Sequence, residues 1–128
     1  MSGCDALIAV VDDESPVRAM LGRLLRLADF QVAAFASGQA FLDSGAAQHA
    51  ACAILDIHMP GLTGFEVQAR MRLAHSRVPV VFITASDDDS LDRSARESGA
   101  SGLLRKPFSR DELLDAIGVA RRSWTRDP

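Results

Sequence analysis

The sequence has few cysteines, no long apolar run and almost no lysine, and each scarcity excludes something. Two cysteines occur in 128 residues, Cys4 and Cys52, and neither stands in a spacing that ligates a metal. Cys4 lies near the N-terminus and Cys52 at the start of an apolar run, so both read as ordinary reduced thiols of a cytosolic protein, not as a disulfide framework. No apolar run approaches the roughly 18 residues that span a bilayer, and residues 1–5 lack the basic-then-apolar opening of a secretory signal. The expectation is a cytoplasmic protein with no membrane contact. Strong charge is also missing. Fourteen Lys+Arg against seventeen Asp+Glu leave a formal net charge of −3, a field too weak to draw this segment onto nucleic acid. Among the basic residues Lys106 is the single lysine; a chain that otherwise uses arginine keeps one ammonium.

With 48% apolar and 24% charged residues, the chain has the balance of one globular domain, expected to span residues 1–128 with a core at about 6–120. At this length folding buries about two thirds of the surface that the unfolded chain exposes, enough for a core without staples. Short apolar runs alternate with helical patterns from end to end. Residues 6–11, 30–35, 51–55, 78–83 and 102–104 read as strands, the first and third as runs buried on both faces. After the first strand, Ser15 offers an N-cap and Pro16 a first-turn residue for a helix with the stripe Val17, Met20, Leu21, Leu24, Leu25 and Ala28. Ser37 caps a short helix with Phe41 and Leu42 that ends near Gly45. Thr63 and Glu66 have capping-box spacing for a helix to about Ala74, and Ser109 and Glu112 repeat it before a last helix with Leu113, Ile117 and Ala120 facing inward. Between them, residues 87–98 keep a helical pattern with only Leu91 and Ala95 as core contacts before Gly99, which predicts the least firmly packed helix. Five strands each followed by a helix predict an α/β domain with a parallel, doubly wound sheet and its site beyond the carboxyl ends of the strands.

The polar residues fall at that edge. Asp12 and Asp13 close the first strand, Asp56 the third, Thr84 the fourth and Lys106 the fifth. Converging carboxylates resist ionising together unless a hard divalent cation sits among them, and magnesium, which takes oxygen ligands and keeps several waters, suits the set. A magnesium ion, an ammonium and a hydroxyl around one carboxylate are the parts that stabilise a phosphoryl group in transfer, which makes the central Asp56 the expected nucleophile.

Taken together, Val10-Val11-Asp12-Asp13-Glu14, Leu55-Asp56-Ile57-His58-Met59-Pro60-Gly61 with Gly64 following, Ile83-Thr84-Ala85 and Lys106-Pro107-Phe108 closely resemble the receiver domains of two-component response regulators, most similarly those of the NarL/FixJ kind. The resemblance covers about residues 6–120 and implies a (βα)5 fold with flavodoxin-like strand order 2-1-3-4-5. It implies that Asp56 accepts a phosphoryl group from a phosphohistidine of a sensor histidine kinase or phosphotransfer protein. Asp13, Asp56 and the backbone carbonyl of His58 would bind Mg2+ directly, and Asp12 would act through a metal-bound water. Thr84 and Lys106 would contact phosphoryl oxygens, and the Lys106–Pro107 bond would be cis. Such a domain is not a conventional enzyme; it catalyses its own phosphorylation and autodephosphorylation. Phosphorylation would switch association, including homodimerisation, and an output domain outside these residues would regulate transcription. Where many receivers carry an aromatic switch residue three positions before the lysine, this chain has Leu103.

Other readings stay open. The tail, residues 121–128, reads as the start of a linker or as the natural end of a single-domain receiver. A phosphorelay shuttle or sink is the alternative role. A haloacid dehalogenase-type phosphatase is the rival chemistry, although there a second Asp follows the nucleophile by two positions and here His58 stands in that place. His58 is either a solvated loop residue or one seated over the site mouth. His49 and His75 read as surface residues, the run Asp87-Asp88-Asp89 as an acidic helix cap, and Trp124 as a partner contact or a cover for the helix end.

Overall fold

The apolar runs form a parallel sheet buried on both sides. In the computed structural model, which describes residues 6–126 and side chains as far as residue 122, the strands are β1 (Leu7–Val11), β2 (Gln31–Phe35), β3 (Cys52–Asp56), β4 (Val80–Thr84) and β5 (Gly102–Arg105). Their order is β2-β1-β3-β4-β5, and every pairing is parallel. The helices are α1 (Ser15–Leu27), α2 (Gly38–Ser44), α3 (Gly64–Leu73), α4 (Ser90–Glu97) and α5 (Arg110–Arg126), with a 3-10 turn at Ala46–Gln48. Cys4 and the side chain of Trp124 lie outside this description, and of the tail expected at 121–128 residues 121–126 continue α5.

Because successive strand residues point to opposite faces, each strand feeds two cores. Ile8, Val10, Cys52, Ile54, Val81 and Ile83 pack with Leu21 and Leu25 of α1 and with Leu113, Ile117 and Ala120 of α5. Ala9, Val11, Ala53, Leu55, Val80 and Phe82 pack under Phe41, Val67, Met71 and Ala95, on the side of α2, α3 and α4. The doubly wound arrangement follows from that alternation. Among the described residues no helix is long and apolar enough to cross a membrane.

The expected caps form at three helices. Ser37 accepts from the Ala40 N–H at 3.1 Å. Thr63 and Glu66 close a reciprocal box at 2.8 and 3.2 Å, and Ser109 and Glu112 close another at 2.8 and 3.0 Å. At α1 the expectation fails: the cap position is Glu14, with no side-chain cap bond, and Ser15 is already helical. The reason is that the Glu14 N–H is taken by Asp12 Oδ1 at 2.9 Å, so the turn closes one residue early. Helix α4 starts later than its sequence pattern, at Ser90 and not at 87. Residues 84–90 run instead through side-chain turns in which Thr84, Ser86 and Asp88 accept from the backbone N–H two residues on; such bonds compete with a helix. The acidic run is thus mainly a loop leading into α4, with Asp88 bonding the Ser90 N–H. Ala95 is the buried residue of α4, and Leu91 packs half-buried against the core.

Candidate functional site

The carboxyl ends of β1, β3, β4 and β5 meet at one edge because the sheet order brings them side by side. Asp12 extends the β1–β2 ladder, its N–H donating to Phe35 O at 3.1 Å, and is completely buried, whereas Asp13 is exposed. Both Asp12 oxygens are occupied: Oδ1 by the Glu14 N–H, and Oδ2 by Lys106 Nζ at 3.0 Å. Asp56 ends a strand buried along its whole length and is itself only 4% exposed. Its close surroundings are enforced by Gly64. A Cβ there would stand 2.6 Å from the Asp56 carbonyl oxygen, so only glycine lets α3 begin hard against the end of β3.

Lys106 follows β5, and its N–H donates to Thr84 O at 2.8 Å. That bond aims the side chain across β4 toward the carboxylates. Its ammonium lies 3.0 Å from Asp12, 3.4 Å from Glu14 and 3.7 Å from Asp56. The Lys106–Pro107 peptide is cis. A cleft of about 200 Å³ opens above, lined by Asp13, Glu14, Asp56, His58, Ala85 and Lys106.

The electrostatics follow from the crowding. Burial, and next the charge of Asp12, push the Asp56 carboxyl up to about 6, while the Lys106 ammonium and the His58 N–H pull it down and Asp13 pushes it further up. For Lys106, burial opposes the charge, but the Asp12 hydrogen bond and the charge of Asp56 outweigh it, and the ammonium is held above its usual range. Carboxylate oxygens of Asp12, Asp13 and Asp56 all lie within 4.8 Å of one another. Each Asp12 oxygen already accepts one internal bond, and of the three aspartates Asp13 and Asp56 line the cleft. A hard, oxygen-seeking dication fits that donor set.

Of the sequence-predicted residues, Asp12, Asp13, Asp56 and Lys106 come together. His58 is exposed and lines the cleft, so its solvated and mouth-side placements are both true of the same side chain. Thr84 is the exception. It is fully buried, its Oγ1 accepts the Ser86 N–H at 3.1 Å, and the cleft wall at that point is Ala85. Glu14 has no sequence signal of its own beyond following the aspartate pair, yet it lines the cleft and approaches the ammonium. His49 and His75 are exposed.

The sequence model of the response regulator receiver domain matches residues 8–118. The chain belongs to that family. It is 38% identical over 115 residues to the transcriptional regulatory protein FixJ of Bradyrhizobium diazoefficiens, covering 90% of this chain and 56% of that protein. Nodulation protein W of the same organism is 35% identical over 115 residues, covering 90% and 51%. The solved structure of the response regulator StyR superposes with a TM-score of 0.86 at 37% identity, covering 95% of this chain and 62% of that one. The chain therefore spans about half the length of the curated relatives it matches. Receivers as a family are phosphorylated, bind Mg2+ at an acidic pocket, and partner with histidine kinases or phosphotransfer proteins in two-component signalling; they are not enzymes of the conventional kind. The family and the placement of Asp56 at the end of β3, beside the Asp12-Asp13 pair of β1, set aside the haloacid dehalogenase reading.

Proposed function

We propose that residues 6–120 act as one receiver unit in the cytoplasm, whose phosphoacceptor is Asp56. The observation that supports it is a nearly buried carboxylate at the floor of the cleft, flanked by an ammonium and two further aspartates. An Asp56 oxygen attacks the phosphorus of a phosphohistidine on a sensor kinase or phosphotransfer protein. The P–N bond breaks, the electron pair returns to the imidazole, and an acyl phosphate forms on Asp56. Asp13, Asp56 and the His58 carbonyl would hold Mg2+, with Asp12 in support; the ion would supply positive charge to the phosphoryl oxygens. Lys106 meets those oxygens from the other side, and Thr84 supplies a hydroxyl once it turns inward. Autodephosphorylation reverses the carboxylate's role: water attacks the phosphorus, and Asp56 leaves as the free carboxylate.

The output is a change of association on the face formed by α4, β5 and α5, as a homodimer or with an output domain that regulates transcription. Two of the phosphoryl contacts, Thr84 and Lys106, stand immediately before the loop to α4 and immediately after β5, so the pull of the phosphoryl group falls on that face.

Mass spectrometry after acetyl phosphate and magnesium tests the assignment. One labile phosphoryl group on Asp56, absent from Asp56→Asn and absent after EDTA, is the expected result; undiminished labelling of Asp56→Asn overturns it.

A further inference from the structure

Thr84 is fully buried and is not among the residues that line the cleft, and its hydroxyl oxygen is tied into the β4–α4 loop. Its oxygen accepts the Ser86 N–H at 3.1 Å, Ser86 Oγ accepts the Asp88 N–H at 3.1 Å, and Asp88 Oδ1 accepts the Ser90 N–H at 2.9 Å. These bonds form a ladder from the end of β4 to the first turn of α4. A hydroxyl that turns toward a phosphoryl group on Asp56 must give up or drag the first rung.

Arg105 grips the same ladder from outside. It is the last residue of β5, directly before Lys106, and its guanidinium crosses to the loop. Nε donates to the Ser86 carbonyl at 3.1 Å and Nη2 to the Asp88 carbonyl at 2.8 Å. Nη1 and Nη2 also meet the two oxygens of Asp92 in the first turn of α4, each at 3.1 Å. An ion pair at this exposure contributes little by itself. Here the planar fork fixes two loop carbonyls and the helix start in one geometry, which a flexible point charge does not do.

We propose that Arg105 is a positioning residue of the phosphotransfer site: its clasp on Ser86, Asp88 and Asp92 holds the β4–α4 loop in the arrangement that keeps the Thr84 hydroxyl out of the cleft. The inference rests on the reading of Asp56 as phosphoacceptor. It assigns to Arg105 a resistance against which the phosphorylated state has to work. The side chain acts on one neighbour of the site, Thr84, through the loop, while the next residue, Lys106, acts on the phosphoryl group directly. Adjacent residues of the β5 end thereby oppose each other, one drawing the site closed and the other holding Thr84 back.

The test is the apparent affinity of the full chain for beryllofluoride, a phosphoryl mimic, in saturating magnesium. Arg105→Met keeps the aliphatic stem and removes every donor; it is expected to bind the mimic at least about fivefold more tightly, the lower end of ordinary coupling between sites. Asp92→Asn leaves the two carbonyl bonds in place and should give a smaller gain in the same direction. In a Thr84→Ala background neither substitution should give any gain, because the clasp acts through that hydroxyl; a role in general stability alone would leave the gain intact. Unchanged or weaker binding by a folded Arg105→Met variant overturns the proposal, as does an equal gain with and without Thr84. If Arg105→Met does not fold, Asp92→Asn with and without Thr84 decides by the same criteria. Wild-type chain that fails to bind beryllofluoride, or Asp56→Asn that binds it as well, sinks the phosphoacceptor reading and this proposal together. Wild-type binding with Arg105→Met at the wild-type affinity sinks the proposal alone.

Discussion

Lys106 has three acidic oxygens at 3.0, 3.4 and 3.7 Å, and only a compact ammonium can be shared among them. Lys106→Arg should therefore fail as a conservative change. The guanidinium demands more room and a forked partner geometry, so labelling by acetyl phosphate should slow by about tenfold or more, the loss of one charge-assisted contact. An arginine variant labelled at the wild-type rate contradicts the role. Cys52 offers a second residue-scale outcome. Burial pushes its thiol up to about 12, against a small downward pull from Arg121, so at neutral pH the native protein should leave Cys52 unmodified by iodoacetamide and react there only on denaturation. Peptide mapping checks this, and rapid native labelling of Cys52 contradicts it. At this scale the sequence discloses identity better than pose. A lone lysine among arginines and aspartates at strand ends mark the site, but the tie of the buried Thr84 hydroxyl to the Ser86 N–H comes from a loop whose own pattern carries no site signal.

Elements are legible where one local bond decides them. Ser37, Thr63 with Glu66, and Ser109 with Glu112 each satisfy the free N–H groups of a helix start, and each helix begins where its cap predicts. The starts of α1 and α4 are not legible in that way, because their boundaries are set by competing side-chain bonds from Asp12, Thr84, Ser86 and Asp88. Helix α3 carries a constraint that the sequence shows only as a glycine. Gly64→Ala places a Cβ at 2.6 Å from the Asp56 carbonyl oxygen and 3.0 Å from Ile57 Cα, both backbone atoms that cannot swing aside. Overpacking of this kind costs about 1 to 3 kcal/mol. Thermal unfolding should shift down by several degrees, and phosphorylation of Asp56 should fall with it because the acceptor's own peptide must move. A variant with unchanged melting temperature and full labelling would show that the approach of α3 to β3 is looser than described. Helix α4 should be the first of the helices to exchange its amides, since Ala95 alone is buried along it; slower exchange there than in α3 contradicts that.

At the scale of the whole molecule, the alternation of short apolar runs with amphipathic stripes leaves a parallel sheet covered on both faces as the arrangement that buries them all, and the strand order then gathers acidic groups at one edge. That gathering makes the stability of the fold depend on pH and on metal in a linked way. In the native chain Asp56 keeps its proton up to about 6, whereas the ordinary value is near 3.8. Between those values the folded state binds more protons than the unfolded one, so stability must fall as pH rises through that window. The shift sets an upper bound of about 3 kcal/mol on this contribution, fully lost above the higher value. The dication proposed to sit at Asp13 and Asp56 would need the ionised form, so it would compete with the proton and bind only the folded site with these carboxylates gathered. Without magnesium, the melting temperature should have an Asp56-dependent component that declines from pH about 4 to about 7. Saturating magnesium should raise the melting temperature much more above the Asp56 pKa than below it. Asp56→Asn, which holds no exchangeable charge, should remove most of both effects and be the more stable protein in EDTA at neutral pH. An equal magnesium increment on both sides of the Asp56 pKa, or an Asp56→Asn variant less stable than wild type in EDTA, would show that the carboxylate is not under the electrostatic load that its burial and Asp12 place on it.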